Sequence, residues 1–275
     1  MKISPFTPLC FEPYISDGCP SRYIQSWSPD DRIMVQVLAS TDETAPTATI
    51  YNAVTGNVID SITWQTWQMN SGKVLYFTEL TGLSVGYYTF SIDDLVSDTF
   101  RITDDVALLA RTVLIRYRFA DNKERDDVVS LINNMARYFE WRVPGGFKDS
   151  GWQFGVANEQ FATQTQNLVE LYGRDYVSKQ FTLGGPEGVP VWYGELLNRL
   201  LTCNYVYFDG VRYTRNESET PSISTIVDGL DSFVFTQMLR QVVDAVVDDT
   251  VSGVTLRLVN STINRSVDNN DLRNV

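Results

Sequence analysis

The sequence contains no histidine. That absence excludes Ser-His-Asp and Cys-His catalysis, the commonest general base and most zinc sites. Cysteine is scarce and odd in number, with only Cys10, Cys19 and Cys203. Three thiols make no disulfide framework, and none stands in a Cys-x-x-Cys pair that would grip a metal. They read as free thiols in a reducing compartment, with a Cys10–Cys19 bridge as the alternative. Basic tracts are missing as well. Acids number 34 against 22 Lys and Arg, for a formal charge of −12. Phosphate backbones are bound mainly through Lys and Arg, so direct sequence-specific nucleic-acid binding is not expected. No stretch approaches the ~18 apolar residues of a membrane span. Met1–Cys10 lacks the charged-then-apolar pattern of a signal peptide. Gly184-Gly185-Pro186-Glu187-Gly188-Val189-Pro190 has no Gly-Lys-Ser/Thr, and its prolines remove amide donors that a phosphate would need. These gaps leave no catalytic residue, cofactor or metal ligand to assign, and the chain reads as a non-enzyme.

What the chain does have is material for a large core. Apolar residues make up 43% and aromatics 12%, too rich for disorder. Pro5, Pro8, Pro13, Pro20 and Pro29 fall in residues 1–30, which predicts an extended N-terminal arm. Its aromatics, Phe6, Phe11 and Tyr14 among them, require that the arm lie on its own domain or on a neighbour.

Residues 31–105 read as short strands separated by turns such as Thr55-Gly56-Asn57 and Asn70-Ser71-Gly72. That spacing predicts a β-sandwich, Ig-like or jelly-roll. Residues 106–275 predict a second β-rich domain with one or two helices. It opens with a strand at Val113–Phe119 that places Val113, Ile115 and Tyr117 on one face and Arg116 and Arg118 on the other. Asp127–Phe139 carries apolar residues at helical spacing and is read as a helix, although Asn133-Asn134 leaves a hairpin open. Phe139–Val143 is a strand ending at a Pro144-Gly145-Gly146 turn, and residues 144–180 follow as a long flap. The clearest helix lies near 190–202, with Pro190 in its first turn and a stripe of Trp192, Leu196, Leu197, Leu200 and Leu201. Tyr205–Phe208, Asp209-Gly210 and Val211–Thr214 make a hairpin. Further strands are expected at Phe233–Phe235, Leu239–Val247 and Val254–Val259.

The remaining motifs have plain readings. The pairs Asp93-Asp94, Asp104-Asp105, Asp126-Asp127 and Asp248-Asp249 are solvated turn acids, since neighbours in a strand face opposite ways. Trp64 and Trp67, with Tyr87 and Tyr88, suit core packing better than a glycan patch. A carbohydrate-binding or adhesive module is the alternative reading that this aromatic group would support.

One stretch carries a resemblance. Trp141-Arg142-Val143-Pro144-Gly145-Gly146-Phe147 is followed by Gln180-Phe181-Thr182-Leu183-Gly184-Gly185 and Gly188-Val189-Pro190-Val191-Trp192. Leu197-Asn198-Arg199-Leu200 and Tyr207-Phe208-Asp209-Gly210-Val211-Arg212-Tyr213 complete the set. It resembles virion proteins of tailed phages and prophages of gut bacteria. More distantly it is similar to distal tail proteins, in which a ring-forming β domain with a helix caps the tail tube. Here the sandwich precedes the candidate ring domain, whereas distal tail proteins usually carry theirs after or within it. The resemblance implies a structural component of a bacteriophage virion: a tail, baseplate or neck subunit made in the host cytoplasm. Its partners would be copies of itself in a ring and other virion proteins. Phe6, Phe11, Tyr14, Phe147, Trp152 and Phe154 are the candidate subunit contacts.

Overall fold

A computed structural model describes residues 1–11, 23–164, 166–216, 220–226 and 231–242, with two short strands at 246–247 and 256–257. The protein is mainly β, and its two helices among the described residues are short.

Two sheets form the N-terminal sandwich. One has the order β1 (Lys2–Ile3), β3 (Ile33–Ser40), β7 (Lys73–Leu80), β6 (Gln65–Gln68). The other runs β2 (Gln25–Trp27), β10 (Phe100–Ile102), β8 (Gly86–Ile92), β4 (Ala48–Asn52), β5 (Val58–Ile62), with β9 (Leu95–Val96) on β8. Val35, Val37, Ile50, Phe90 and Phe100 are buried in the core of this half. Strand β3 is buried along its whole length except Ser40 rather than on alternate residues. The reason is that its sheet is covered on both sides. Leu38, Leu75 and Phe77 meet Val129 and Ile132 from the second half of the chain. Gln36, fully buried, bonds Val129 like a strand neighbour: its Nε2 donates to Val129 O (2.7 Å) and its Oε1 accepts from Val129 N (3.0 Å).

The short helix α1 (Val106–Leu109), capped by the Asp105 carboxylate, leads into the second half. There a sheet runs β15 (Leu168–Leu183), β14 (Phe139–Ala162), β11 (Thr112–Arg118), β16 (Tyr205–Phe208), β17 (Val211–Arg215), β19 (Phe233–Gln241), β18 (Ser222–Thr225). An additional pairing of β15 with β19 closes all but β18 into a ring of strands. Val113, Ile115 and Tyr117 are buried as their alternation predicts, with Trp141, Phe139 and Phe208 beside them. Helix α2 (Val191–Leu200) packs here: the Trp192 and Tyr193 rings lie 6.2 and 5.1 Å from Trp141. Pro190 is its N-cap, where a missing N–H costs nothing. A short pair, β20 (Val246–Val247) and β21 (Leu256–Arg257), falls within two of the expected C-terminal strands.

Two expectations are corrected. Residues 127–139 hold no helix but a hairpin, β12 (Leu131–Ile132) and β13 (Met135–Ala136). Asn133 and Asn134 take positive φ (52° and 62°), a conformation that Asn tolerates and that a tight two-residue turn requires. Of the apolar residues that mimic helical spacing, Ile132 is pressed onto the outer face of the first sheet, Val128 and Phe139 join the main core, and Met135 is exposed. Likewise Pro144-Gly145-Gly146 is not a turn. Strand β14 runs through it, and residues 144–180 are the two strands of a long ribbon rather than a loop. Pro144 ends the pairing with β11, where a lost donor is tolerable. Gly145 then adopts φ 123°, and a Cβ there would sit 2.0 Å from Thr182 O. Only glycine lets the strand cross from one pairing to the next.

The two halves share one continuous apolar core. Polar ties join them as well. The Arg142 guanidinium forks onto Asp31 (Nε–Oδ2 2.6 Å, Nη2–Oδ1 2.8 Å), and Arg32 N donates to Glu140 Oε2 (2.9 Å). Tyr117 OH donates to Phe6 O (2.6 Å), and Arg199 Nη1 to Pro5 O (2.8 Å). The described part of the N-terminal arm therefore lies on its own chain, wedged between the halves.

Candidate assembly surface

The ribbon formed by β14 and β15 is the feature without a structural explanation inside this chain. At its root it belongs to the closed sheet. Strand β15 pairs with β19 only as far as Ser178↔Arg240, and β14 pairs with β11 only as far as Pro144↔Thr112. The two strands pair with each other from Trp152↔Lys179 to Ala162↔Leu168, and from Phe154↔Val177 outward they pair with no other strand. At ~3.3 Å per residue this paired stretch is roughly 35 Å long. A turn closes it, with Gln166 at φ 62° and Thr163 N donating to Asn167 O (2.9 Å).

Local chemistry builds the ribbon. Trp152-x-Phe154-x-Val156 alternates with period two, so these residues share one face with their cross-strand partners Lys179, Val177 and Asp175. The Lys179 ammonium sits 4.1 Å from the centre of the Trp152 ring. On the opposite face the Tyr176 ring covers Gly155: a Cβ there would lie 2.3 Å from it. Arg240 lies over that ring at 3.9 Å, tying the ribbon's root to β19.

Apolar side chains stay in water along this arm. Trp152 is 46%, Phe154 77% and Val156 59% exposed, and farther out Phe161, Leu168, Leu171 and Tyr172 are exposed too. A two-stranded ribbon is marginal by itself, and its unpaired N–H and C=O edges invite another strand. Clustered apolar surface of this kind marks an interaction site.

The six sequence-chosen contact residues therefore separate. Trp152 and Phe154 stand on the arm. Phe147 lies at its root, half-buried and stacked on Tyr213 at 4.6 Å. Phe6 and Phe11 are removed from the contact surface: both are buried in their own chain's core, Phe6 edge-on to Phe119 and Phe11 edge-on to Phe90. Tyr14 falls outside the described residues. The sequence reading missed Val156, Phe161, Leu171 and Tyr172. The alternation at 152–156 was the signal that could have found the first of them.

The aromatic group of the alternative reading does not assemble. Trp64 packs edge-on to Phe90 and donates to Pro46 O (2.7 Å), whereas Trp67 packs on the separate cluster around Leu75. Tyr88 is buried against Phe100. Several of the paired acids are spent in local structure: Asp93 Oδ1 accepts from Thr47 N, Asp126 pairs with Lys73, and Asp127 pairs with Arg125, while Asp248-Asp249 lies outside the described residues.

One electrostatic site lies away from the arm. Burial first, and the charge of Asp231 second, push the Asp98 carboxyl up to about 6. Asp231 is raised in the same direction by burial, while its Oδ1 accepts from Val191 N at the start of α2 (3.1 Å). No group of three or more His, Cys, Asp and Glu able to hold a metal occurs among the described residues. No helix among them is long and apolar enough to cross a membrane.

Comparison of the chain with protein-family models, curated proteins and solved structures gives no match.

Proposed function

We propose that this chain is a structural subunit of a tailed-phage virion, acting in a tail or baseplate ring of the distal-tail kind or in the neck. The observation that carries the reading is the arm: a ribbon roughly 35 Å long whose apolar side chains stay largely exposed. A subunit that works alone has no use for such a surface. A subunit of a head-to-tail ring needs two different surfaces, and a projecting strand pair supplies one of them through main-chain bonds. The acidic charge of −12 suits a soluble ring component past which DNA can slide without sticking. The body presents rigid sheets and one helix as a frame for the arm.

The test is electron microscopy with two readouts. Negative-stain images of the purified protein are expected to show closed rings. Antibody raised against it is expected to decorate one end or the neck of phage particles from an induced lysate. Undecorated particles, together with a protein that stays single at high concentration, would remove the reading.

A further inference from the structure

We infer that the arm is gripped on both of its faces by a second copy of this chain, its near half on one face and its far half on the other. The inference deepens the ring reading and rests on it for the presence of neighbours. It starts from the register. Between Glu159 and Gln160 the pairing shifts: Glu159 opposes Tyr172 and Gln160 opposes Glu170, so Leu171 is an extra residue on β15. Direct partners share a face and successive residues alternate. Trp152, Phe154 and Val156 therefore lie on one face of the near half. Phe161, its partner Val169, and Tyr172 lie on the opposite face of the far half, and Leu168, opposite Ala162 beside the turn, keeps to the first face. The two sets of three are all exposed. A ribbon that lay flat on one surface would be apolar on one face throughout. This one carries most of its exposed apolar side chains on one face in its near half and on the other in its far half.

The area and the charge argue for a copy of the same chain. The six side chains expose on the order of 600 Å², taking roughly 150–250 Å² for each aromatic. A standard stable interface takes about 800 Å² from each partner, and the free strand edges with Leu171 make up the difference. The near-balanced charges of the arm are Glu159, Glu170 and Asp175 against Arg174 and Lys179. Two chains of net charge −12 repel one another and meet most easily where charge is low. A basic partner would be drawn to the acidic body, and the arm offers it nothing.

The experiment is sedimentation velocity over a concentration series with the full chain and two triple variants. One variant carries Trp152→Ser, Phe154→Ser and Val156→Ser. The other carries Phe161→Ser, Val169→Ser and Tyr172→Ser. Circular dichroism and melting curves check that each still folds, and the single variants Phe154→Ser and Tyr172→Ser replace any triple that does not. Each triple alone is expected to weaken self-association on the order of 100-fold, as loss of central aromatic anchors does. If the wild type associates and only one triple weakens it, two-faced gripping is overturned while the ring reading stands. A wild type that stays monomeric at every concentration overturns both and hands the arm to a different protein. A wild type that associates through both faces but is absent from phage particles supports the inference and removes the virion reading alone.

Discussion

The body and the arm of this protein are made of similar residues put to opposite uses. In the body, Trp141 and Phe181 are completely buried, Trp141 against helix α2 and Phe181 between Phe147 and Phe208. In the arm, Trp152 and Phe154 belong to the same strand as Trp141 and remain in water. The difference comes from neighbours, not composition. Strand β14 has β11 on its outer edge until Pro144 and nothing afterwards. One strand thus crosses from a region that stabilises the fold to one that adds nothing to it. The lesson is that burial is decided by what lies across the sheet, and an apolar alternation reports only that something should.

Four measurements would break or sharpen this contrast. The largest effect is expected in native-state hydrogen exchange. Amides of Phe181 and Leu183, paired on both sides, should exchange only with global unfolding, on the order of 5–15 kcal/mol for a typical domain. Amides between Gln153 and Gly173 in the free chain should exchange through local opening at a small fraction of that. Equal protection in both stretches would show that the arm is part of the cooperative unit.

Next come truncations. Trp141→Ala should cost about 3–5 kcal/mol by denaturant unfolding. Phe154→Ala, in the same strand, should stay within about 0.5 kcal/mol. Comparable losses would mean that the arm is folded back onto the body.

The third measurement concerns the seam between the halves. Asp31→Ala strands the Arg142 guanidinium, which among the described residues keeps its bond to Thr112 Oγ1 at 3.1 Å. A loss of about 3 kcal/mol is expected for a mostly buried fork with one partner removed. A biphasic melt of this variant, read by differential scanning calorimetry, would show that the fork and its neighbours couple two separable units.

The smallest effect is a pH dependence away from the arm. Asp98 holds its proton in the folded state up to about 6, whereas an unfolded aspartate releases it near 4. Between those values the folded state binds more protons, so stability falls as pH rises and the cost is fully present above 6. Neighbouring atoms crowd the carboxyl, but the residue as a whole keeps substantial contact with solvent, which damps the effect. Asp98→Asn should raise the melting temperature slightly at pH 7–8, and the gain should vanish at pH 4. A gain that persists at pH 4 would assign it to packing rather than charge.

Much of the fold was readable from residue pattern. Ile33–Ser40, Gly86–Ile92 and Thr112–Arg118 declare themselves as strands through β-branched and aromatic content. Val191–Leu200 declares itself through its stripe and its leading proline, and Asp209-Gly210 through the turn it demands. The candidate surface was legible only in part. Trp152 and Phe154 were among the contacts named from sequence, and both stand exposed on the arm. Phe6 and Phe11 were named with them, because nothing in the N-terminal segment shows that Tyr117 and Arg199 will hold the backbone around Phe6 in place. The hairpin at Leu131–Ala136 was read as a helix because a short apolar run looks alike in both settings until the turn geometry is known.

By itself, then, the sequence determined a mainly β protein without imidazole chemistry, one well-marked helix, and the approximate places of most strands. These follow from local preferences that a few neighbouring residues express. Tertiary structure alone decided that Phe6 is core and Phe154 is not, that β3 is covered on both faces, and that residues 144–180 form a projecting ribbon. Those outcomes depend on partners up to about a hundred or more positions away, such as Gln36 with Val129 and Arg142 with Asp31. No local pattern encodes which distant strand will arrive, or where it will stop.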